Sequence, residues 1–414
     1  MSLPRITAGF CALSLALAVP VSGQDYERPP VQNAATILHG KEVGPGYLVE
    51  SKVYSEGFLR VYEVQTVQDI ERLVGDGLLK LRLSEVKALT ALDGLKADQS
   101  FLEGLKEAAK RPADFVKSTV EDPIGTAKST VTGVGRVFGR LAQGVENTVT
   151  GKGGSPEDLA KAVTGTDRTR RELAVEIGVD PYTTYAPLSA KLTETASVTT
   201  IGKWTVIAIT ALIPGGAISS FVGTAESLRT LIVDSTPTEL HERAATALRH
   251  AGAHEGDIAG FLSNRNYTPT ERIVFAFRLQ AMANVKGREL LIAQAAAAQT
   301  REDAYVQLRR IVLTETYNRT EARLSQFRMV AGFPVALRTD GGAALVVPLD
   351  MIAWTETTAK AMSGLHTGLT GQPFPPKTVD FLSTGTVTDL AGQNMASFGW
   401  TVTSEYPMPP GPIH

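Results

Sequence analysis

Cysteine is almost absent from this chain of 414 residues, which has a single one, Cys11. Cys11 lies inside an apolar stretch near the N-terminus. If that stretch is removed on maturation, the remaining chain has no thiol, which excludes disulfides and a cysteine nucleophile. Packing alone must then stabilise the fold. Because animal secreted domains often use disulfides, this composition favours a bacterial envelope protein.

An excess of basic residues is also lacking, with 41 Lys and Arg against 43 Asp and Glu. Binding a phosphate backbone needs a basic excess or at least a basic face. We therefore expect no nucleic-acid partner. The sequence contains no phosphate-loop string, no GxSxG elbow and no CxxC pair. We accordingly expect a non-enzymatic protein without a cofactor, and one histidine cluster supplies the enzymatic alternative.

An unbroken apolar run of membrane-spanning length is missing too. The stretch Trp204–Ala225 has no charged residue, but Pro214, Gly215 and Gly216 interrupt its middle. A spanning helix needs about 20 continuous apolar residues, and an interior proline costs about 3 kcal/mol or more. We predict a buried apolar hairpin over residues 204–225. Membrane insertion is the alternative.

The first residues resemble an export signal. Arg5 precedes an apolar stretch from Ile6 to Val21, and small residues follow it at Ser22 and Gly23. This arrangement is typical of a signal peptide that is removed on export. We predict a signal peptide over residues 1–23 and a periplasmic or extracellular mature protein. An N-terminal anchor helix is the alternative, although the run is short for one.

Residues 113–154 form a glycine-rich segment that keeps a helical apolar stripe. Each interior glycine costs a helix about 0.5–1 kcal/mol relative to alanine, so the helix needs a surface to lie on. The chain's own helices, a partner or a membrane would supply that surface. The specific hypothesis is contact with anionic lipid by basic and aromatic side chains of this segment. Its candidate residues are Lys128, Arg136, Phe138 and Arg140.

Periodicity predicts an α-rich, α+β fold. We expect a central helical bundle, an N-terminal β-hairpin within residues 47–64 and a small C-terminal α/β domain. Residues 24–46 are expected to form a loosely held polar arm. The predicted divisions are the signal peptide 1–23, arm, hairpin and helices 24–112, glycine-rich segment 113–154, helical domain with the buried hairpin 155–331, α/β domain 332–406 and Pro-rich tail 407–414.

Two sets of side chains are candidates for chemistry or binding. His250 and His254 are four residues apart and would share one face of a helix, where Glu255 completes a possible site for a divalent metal. The string departs from the HExxH pattern, and nearby glycines weaken the helix. Arg168 and Arg171 lie one helical turn apart and are placed to grip an anionic head group. A solvated face with local ion pairs is the alternative.

Taken together, the sequence predicts an exported, non-enzymatic envelope protein that acts by binding or scaffolding. Its expected partner is a protein or another envelope ligand, with a membrane surface reached through residues 115–149. A metal-assisted hydrolase that uses His250 and His254 is one alternative. A membrane-perturbing effector that deploys residues 115–225 is the other.

Overall fold

The computed structural model describes residues 26–55, 57–94, 156–197 and 226–414. Within these ranges, one β-sheet lies in the N-terminal part of the chain and another in the C-terminal part, and helices pack between them. Three predictions fall outside the described residues: the signal peptide 1–23, the glycine-rich segment 113–154 and the apolar hairpin 204–225. Among the described helices, none combines the length and apolar character needed to cross a membrane.

The N-terminal sheet has six strands, all paired antiparallel. β5 is its centre, since β3 and β4 pair along one edge of β5 and β6 pairs along the other. The short strands β1 and β2 extend the sheet beyond β4 and β3. The strands are β1 (Val31–Asn33), β2 (Val43–Gly44), β3 (Tyr47–Val49), β4 (Lys52–Ser55), β5 (Arg60–Thr66) and β6 (Ile70–Val74).

Ten helices of the described chain precede the C-terminal sheet. They are α1 (Ala34–Ile37), α2 (Asp76–Gly94), α3 (Pro156–Glu176), α4 (Ala186–Ser197), α5 (Glu226–Asp234), α6 (Pro237–His250), α7 (Glu255–Ser263), α8 (Pro269–Ala281), α9 (Glu289–Ala296) and α10 (Arg301–Thr320). One face of the N-terminal sheet packs on α2, α3 and α4 in a shared apolar core. A second core joins α6 through α10 around Phe261 and Phe275.

Local sequence explains where several of these helices begin. Thr268 accepts a hydrogen bond from the backbone N–H of Glu271, and the Glu271 side chain accepts one from the Thr268 backbone. This capping box satisfies two N–H groups that a helix start leaves unpaired. Thr300 caps α10 through the N–H of Asp303. The strings Thr268-Pro269-Thr270-Glu271 and Thr300-Arg301-Glu302-Asp303 each predict a helix start, and a helix begins at both.

The C-terminal sheet has five strands in the order β13-β11-β9-β8-β7. β9, β11 and β13 run parallel to one another, whereas β7 and β8 are antiparallel. The strands, with a separate parallel pair β10–β12, are β7 (Leu324–Val330), β8 (Phe333–Arg338), β9 (Ala343–Val347), β10 (Met351–Ile352), β11 (Val379–Ser383), β12 (Thr386–Val387) and β13 (Trp400–Thr403). α10 covers one face of this sheet, and α11 (Glu356–Thr370) and α12 (Asp389–Ser397) cover the other.

The predicted fold class is wrong. The structure is mixed, with sheets of six and five strands in the N-terminal and C-terminal regions, where an α-rich fold with one N-terminal hairpin and a small C-terminal α/β domain was expected. The hairpin of β4 and β5 exists, but β1, β2, β3 and β6 join it. β1, β2 and β3 have only two or three residues each, so neighbouring strands decide their conformation more than their own alternation does. β6 has five residues and pairs along the other edge of β5.

Two further expectations fail for the same reason. Residues 24–46 were expected to form a loose arm, yet they contribute β1, α1 and β2. The sequence from Asp350 to about Met362 predicts a helix, but Met351–Ile352 pairs with β12 and the helix begins only at Glu356. β1 pairs with β4 and β10 pairs with β12, so in both places a strand outside the segment supplies hydrogen bonds that local periodicity does not predict.

Candidate functional site

The face of the N-terminal sheet away from the helices carries a row of apolar side chains. Strand register makes Val31, Tyr54, Val61 and Val74 consecutive neighbours across four strands. Val31 is 60% exposed and Tyr54 is 53% exposed. Adjacent side chains in a strand point to opposite faces, and their sequence neighbours Val53, Tyr62 and Leu73 are accordingly buried. The sheet therefore presents apolar side chains on both faces, of which one is open.

A groove of about 320 Å³ lies over this row. Its lining consists of Pro29, Pro30, Val31, Tyr54, Ser55, Val61, Glu63 and Arg72. Glu63 and Arg72 are direct neighbours on β5 and β6, and both are exposed. They place one negative and one positive side chain beside the apolar floor. Binding sites commonly combine an apolar surface with a few polar groups that orient the ligand.

The proline wall of the groove belongs to a strap, residues 26–30, which is fixed at both ends. At one end, the Glu27 carboxylate accepts hydrogen bonds from the Thr388 hydroxyl at 2.6 Å and from the Trp354 N–H, and the Glu27 N–H donates to the Trp354 carbonyl at 2.9 Å. At the other end, the Ser55 N–H donates to the Pro30 carbonyl at 3.2 Å. The strap thus ties the C-terminal region to the rim of the groove and holds that rim in place.

Behind the groove, a buried carboxylate joins the two sheets. Asp350 accepts hydrogen bonds from the backbone N–H groups of Arg60 at 2.9 Å and Asp76 at 3.0 Å. Asp76 is the first residue of α2, so Asp350 caps this helix from a position 274 residues away. Gly385 is required beside it, because a Cβ there would lie 1.9 Å from the Asp350 carbonyl oxygen.

Charge reinforces this junction. The Arg60 guanidinium lies 2.6 Å from the Asp76 carboxylate, which also accepts a hydrogen bond from the Tyr62 hydroxyl at 2.6 Å. Burial raises the pKa of Asp350 to about 7, and the negative charge of Asp76 adds to that rise. The Arg309 guanidinium, 3.8 Å from the carboxylate, opposes the rise without cancelling it. Asp350 is therefore protonated more readily than an exposed aspartate.

A second group of buried acids lies where α2 meets the turn after α3 and the start of α8. Burial raises the pKa of Glu85 to about 7, even though Arg82 pairs with this carboxylate and Thr183 donates to it. Asp180 accepts hydrogen bonds from the hydroxyls of Thr268 at 2.5 Å and Thr270 at 2.6 Å. A cavity of about 20 Å³ beside them has room for about one water molecule. The hydrogen bonds of these acids connect segments of the fold.

The structure separates the histidines predicted to bind metal. His250 is the last residue of α6 and His254 precedes α7, with Gly252 between them at a φ of +81°. They do not share a helix face, so that premise of the metal hypothesis is wrong. Glu255 forms an exposed ion pair with Arg249 at 2.7 Å. Across the described part of the chain, no three His, Cys, Asp or Glu side chains are grouped to hold a metal ion.

The arginines predicted to bind an anion both contact α5 and its C-terminal end. Arg168 is largely exposed and pairs with Asp234 at 2.8 Å. Arg171 is buried and donates to the carbonyl of Val233 at 2.8 Å. These contacts hold α5 against α3. The candidate lipid contacts Lys128, Arg136, Phe138 and Arg140 lie outside the described residues.

Comparison with protein-family models, with curated protein sequences and with solved structures found no match to this chain.

Sequence reasoning missed the groove, although β5 carries a signal for it. In the run RVYEVQT, Val61 and Tyr62 are adjacent apolar residues and so must lie on opposite faces of a strand. The pattern indicates an apolar residue on each face. It does not reveal which face the helices cover, because that depends on the packing of α2, α3 and α4.

Proposed function

We propose that this chain is an exported, non-enzymatic protein that acts by binding or scaffolding, and that the groove on the N-terminal sheet is a binding surface. The apolar row of exposed Val31 and Tyr54 with half-buried Val61 carries the proposal. Water-exposed apolar surface that is contiguous and bordered by charged groups is characteristic of interaction sites. Here the row is continuous across strands and bordered by Glu63 and Arg72.

The rigidity of the surface supports the same proposal. A binding surface gains affinity when its groups are already ordered before the partner arrives. The groove floor is hydrogen-bonded sheet, and its proline wall is fixed by Glu27 at one end and Ser55 at the other. The groove therefore has little conformational freedom to lose when a partner binds.

The contacts of the buried acids give them a structural role within the fold. Asp350, Asp180 and Glu85 each hydrogen-bond to groups on other segments, so their charges connect the fold. Export is proposed from residues 1–23, and a protein or another envelope ligand is proposed as the partner. A membrane surface is proposed as a further partner because of the composition of residues 115–149.

The experiment places a photo-crosslinking amino acid at position 54 of the full chain in producing cells. Position 242, exposed on α6, is the matched control. We expect a specific adduct from position 54 and none from position 242, on chains that fractionate outside the cytoplasm and begin near Gln24. Equal adducts at both positions, or none at position 54, would overturn the groove as a binding surface. Chains that keep residues 1–23 and fractionate with the cytoplasm would overturn the proposal of export.

A further inference from the structure

The C-terminal region exposes a side chain that suits this groove. Phe374 is 85% exposed, which is the largest exposure among the exposed large apolar side chains of the described residues. It lies in the loop Pro373-Phe374-Pro375-Pro376-Lys377, between α11 and β11. Aromatic side chains bury about 150–250 Å² each and commonly dominate the energetics of interfaces.

The loop holds Phe374 outward in a restricted conformation. Three of its residues are prolines, whose rings fix the backbone φ angle and leave little freedom to lose on binding. Gln372 donates to the carbonyl of Gly368 at 3.1 Å, and the Lys377 N–H donates to the carbonyl of Gly341 at 3.0 Å. The loop is thus tied to the end of α11 on one side and to the β8–β9 turn on the other.

The groove and the loop complement each other in size and charge. A volume of about 320 Å³ is at the small end of the range for ligand pockets, roughly 300–1,000 Å³, and suits an aromatic ring with its neighbours. Tyr54, Pro30 and Val61 supply the apolar lining. Glu63 supplies a carboxylate for the exposed ammonium of Lys377, and the Arg72 guanidinium can lie against the face of the Phe374 ring.

The topology places loop and groove at opposite ends of the C-terminal sheet. The loop precedes β11, at its amino end, whereas the carboxyl end of β11 leads to Thr386, which accepts a hydrogen bond from Arg60 of the N-terminal sheet. Five residues of extended strand separate these ends by about 17 Å. The loop of one copy therefore lies at the end of β11 that is remote from its own groove.

We propose that copies of this chain associate head to tail, with the loop 373–377 of one copy inserted in the groove of the next. This inference rests on the proposed function, since it identifies the partner of the groove as a second copy of the chain. Such a contact joins two different surfaces, and it produces rings or filaments depending on whether the rotation closes. A scaffold built from one chain would follow.

The test measures sedimentation of the purified chain over a range of concentrations. The parent should self-associate, and Phe374→Ser and Tyr54→Ser should each raise the dissociation constant by roughly 30-fold or more, as loss of an interface hot spot does. Met329→Ser and Ile70→Ser are the matched controls, because both side chains are exposed and apolar but lie outside the loop and the groove lining. The controls should associate like the parent.

Mixing the two variants is the decisive measurement. Phe374→Ser keeps an intact groove and Tyr54→Ser keeps an intact loop, so an equimolar mixture should form heterodimers that neither variant forms alone. A misfolded variant would not complement its partner in this way. A parent that stays monomeric, an association unaffected by Phe374→Ser, or a mixture without heterodimers would each overturn the proposal.

The two proposals fail in different ways. If the crosslinker at position 54 captures a different protein while the purified chain is monomeric, the groove is a binding surface and the head-to-tail inference is wrong. If the adduct at position 54 maps to residues 373–377 of a second chain, both proposals are supported. If no adduct forms at position 54 and the purified chain is monomeric, both are wrong.

Discussion

The two large sheets of this protein differ in how many faces they bury. Every residue of β9 in the C-terminal sheet is buried, because α10 packs on one face and α11 and α12 pack on the other. β4 of the N-terminal sheet instead alternates between exposed and buried residues. Parallel strands are usually covered on both faces, whereas antiparallel sheets can leave one face to solvent. The open face of the N-terminal sheet is therefore the surface that a partner can contact.

The two sheets should differ most in how much the free energy of unfolding falls when one side chain in each is truncated. Leu345 is 2% exposed on β9, and Leu345→Ala should lower the free energy of unfolding by about 2–5 kcal/mol through lost contacts and a cavity. Val31→Ala on the open face should change it by less than about 0.5 kcal/mol. Urea denaturation measures both. Similar losses in the two variants would show that the open face is covered in solution.

Two buried acids should make the free energy of unfolding depend on pH. Asp350 and Glu85 have folded-state pKa values raised to about 7, so near pH 5 the folded chain holds protons that the unfolded chain has released. The free energy of unfolding should therefore fall as the pH rises from about 4 to about 7.

The variant Asp350→Asn tests this linkage, because its amide keeps an accepting oxygen and does not titrate. Its stability should fall less steeply than that of the parent, by on the order of a few kcal/mol between about pH 4 and about pH 7. Urea denaturation at several pH values gives the slope, and Glu85→Gln is the matched comparison at the other acidic group. A slope identical to the parent's would contradict the assignment to Asp350.

Two tyrosines on opposite faces of the N-terminal sheet give a matched pair. The Tyr62 hydroxyl is buried and donates to the Asp76 carboxylate, so Tyr62→Phe should cost about 1.5–3 kcal/mol, the usual value of a bond to a charged group. Tyr54→Phe removes a hydroxyl from the exposed face and should change stability by less than about 0.5 kcal/mol. Thermal or urea unfolding checks the difference. Equal effects would mean that the two faces are not distinct.

Releasing the strap should have the smallest effect on stability and a local effect on the groove. Glu27→Ala removes the acceptor for the Thr388 hydroxyl and the Trp354 N–H, which should cost about 1 kcal/mol. Hydrogen exchange should accelerate at β1 while β9 stays protected. Lys52→Ala on the same sheet is the control. Unchanged exchange at β1 in Glu27→Ala would show that the strap does not hold the groove.

Local chemistry predicted some elements well. Thr268 and Glu271 mark the start of α8. Gly178 predicts the end of the helix that passes through Arg171 and Leu173, and α3 ends at Glu176 with Gly178 following at a φ of +80°. The run Asp340-Gly341-Gly342 predicts the turn of a hairpin, and it joins β8 and β9. In each case the signal is carried by residues a few positions apart, which is the range over which side chains and backbone interact directly.

The sequence alone determined the composition, the near-absence of thiols, the balance of charge and these local starts and stops, because each depends on single residues or close neighbours. Only the tertiary structure decided which face of β5 is open and that Asp350 caps α2. It also placed His250 at the end of α6 and His254 before the start of α7, and Phe374 at the far end of β11 from Arg60. The contact between Asp350 and Asp76 joins residues 274 positions apart, and no periodicity within one segment records such a contact.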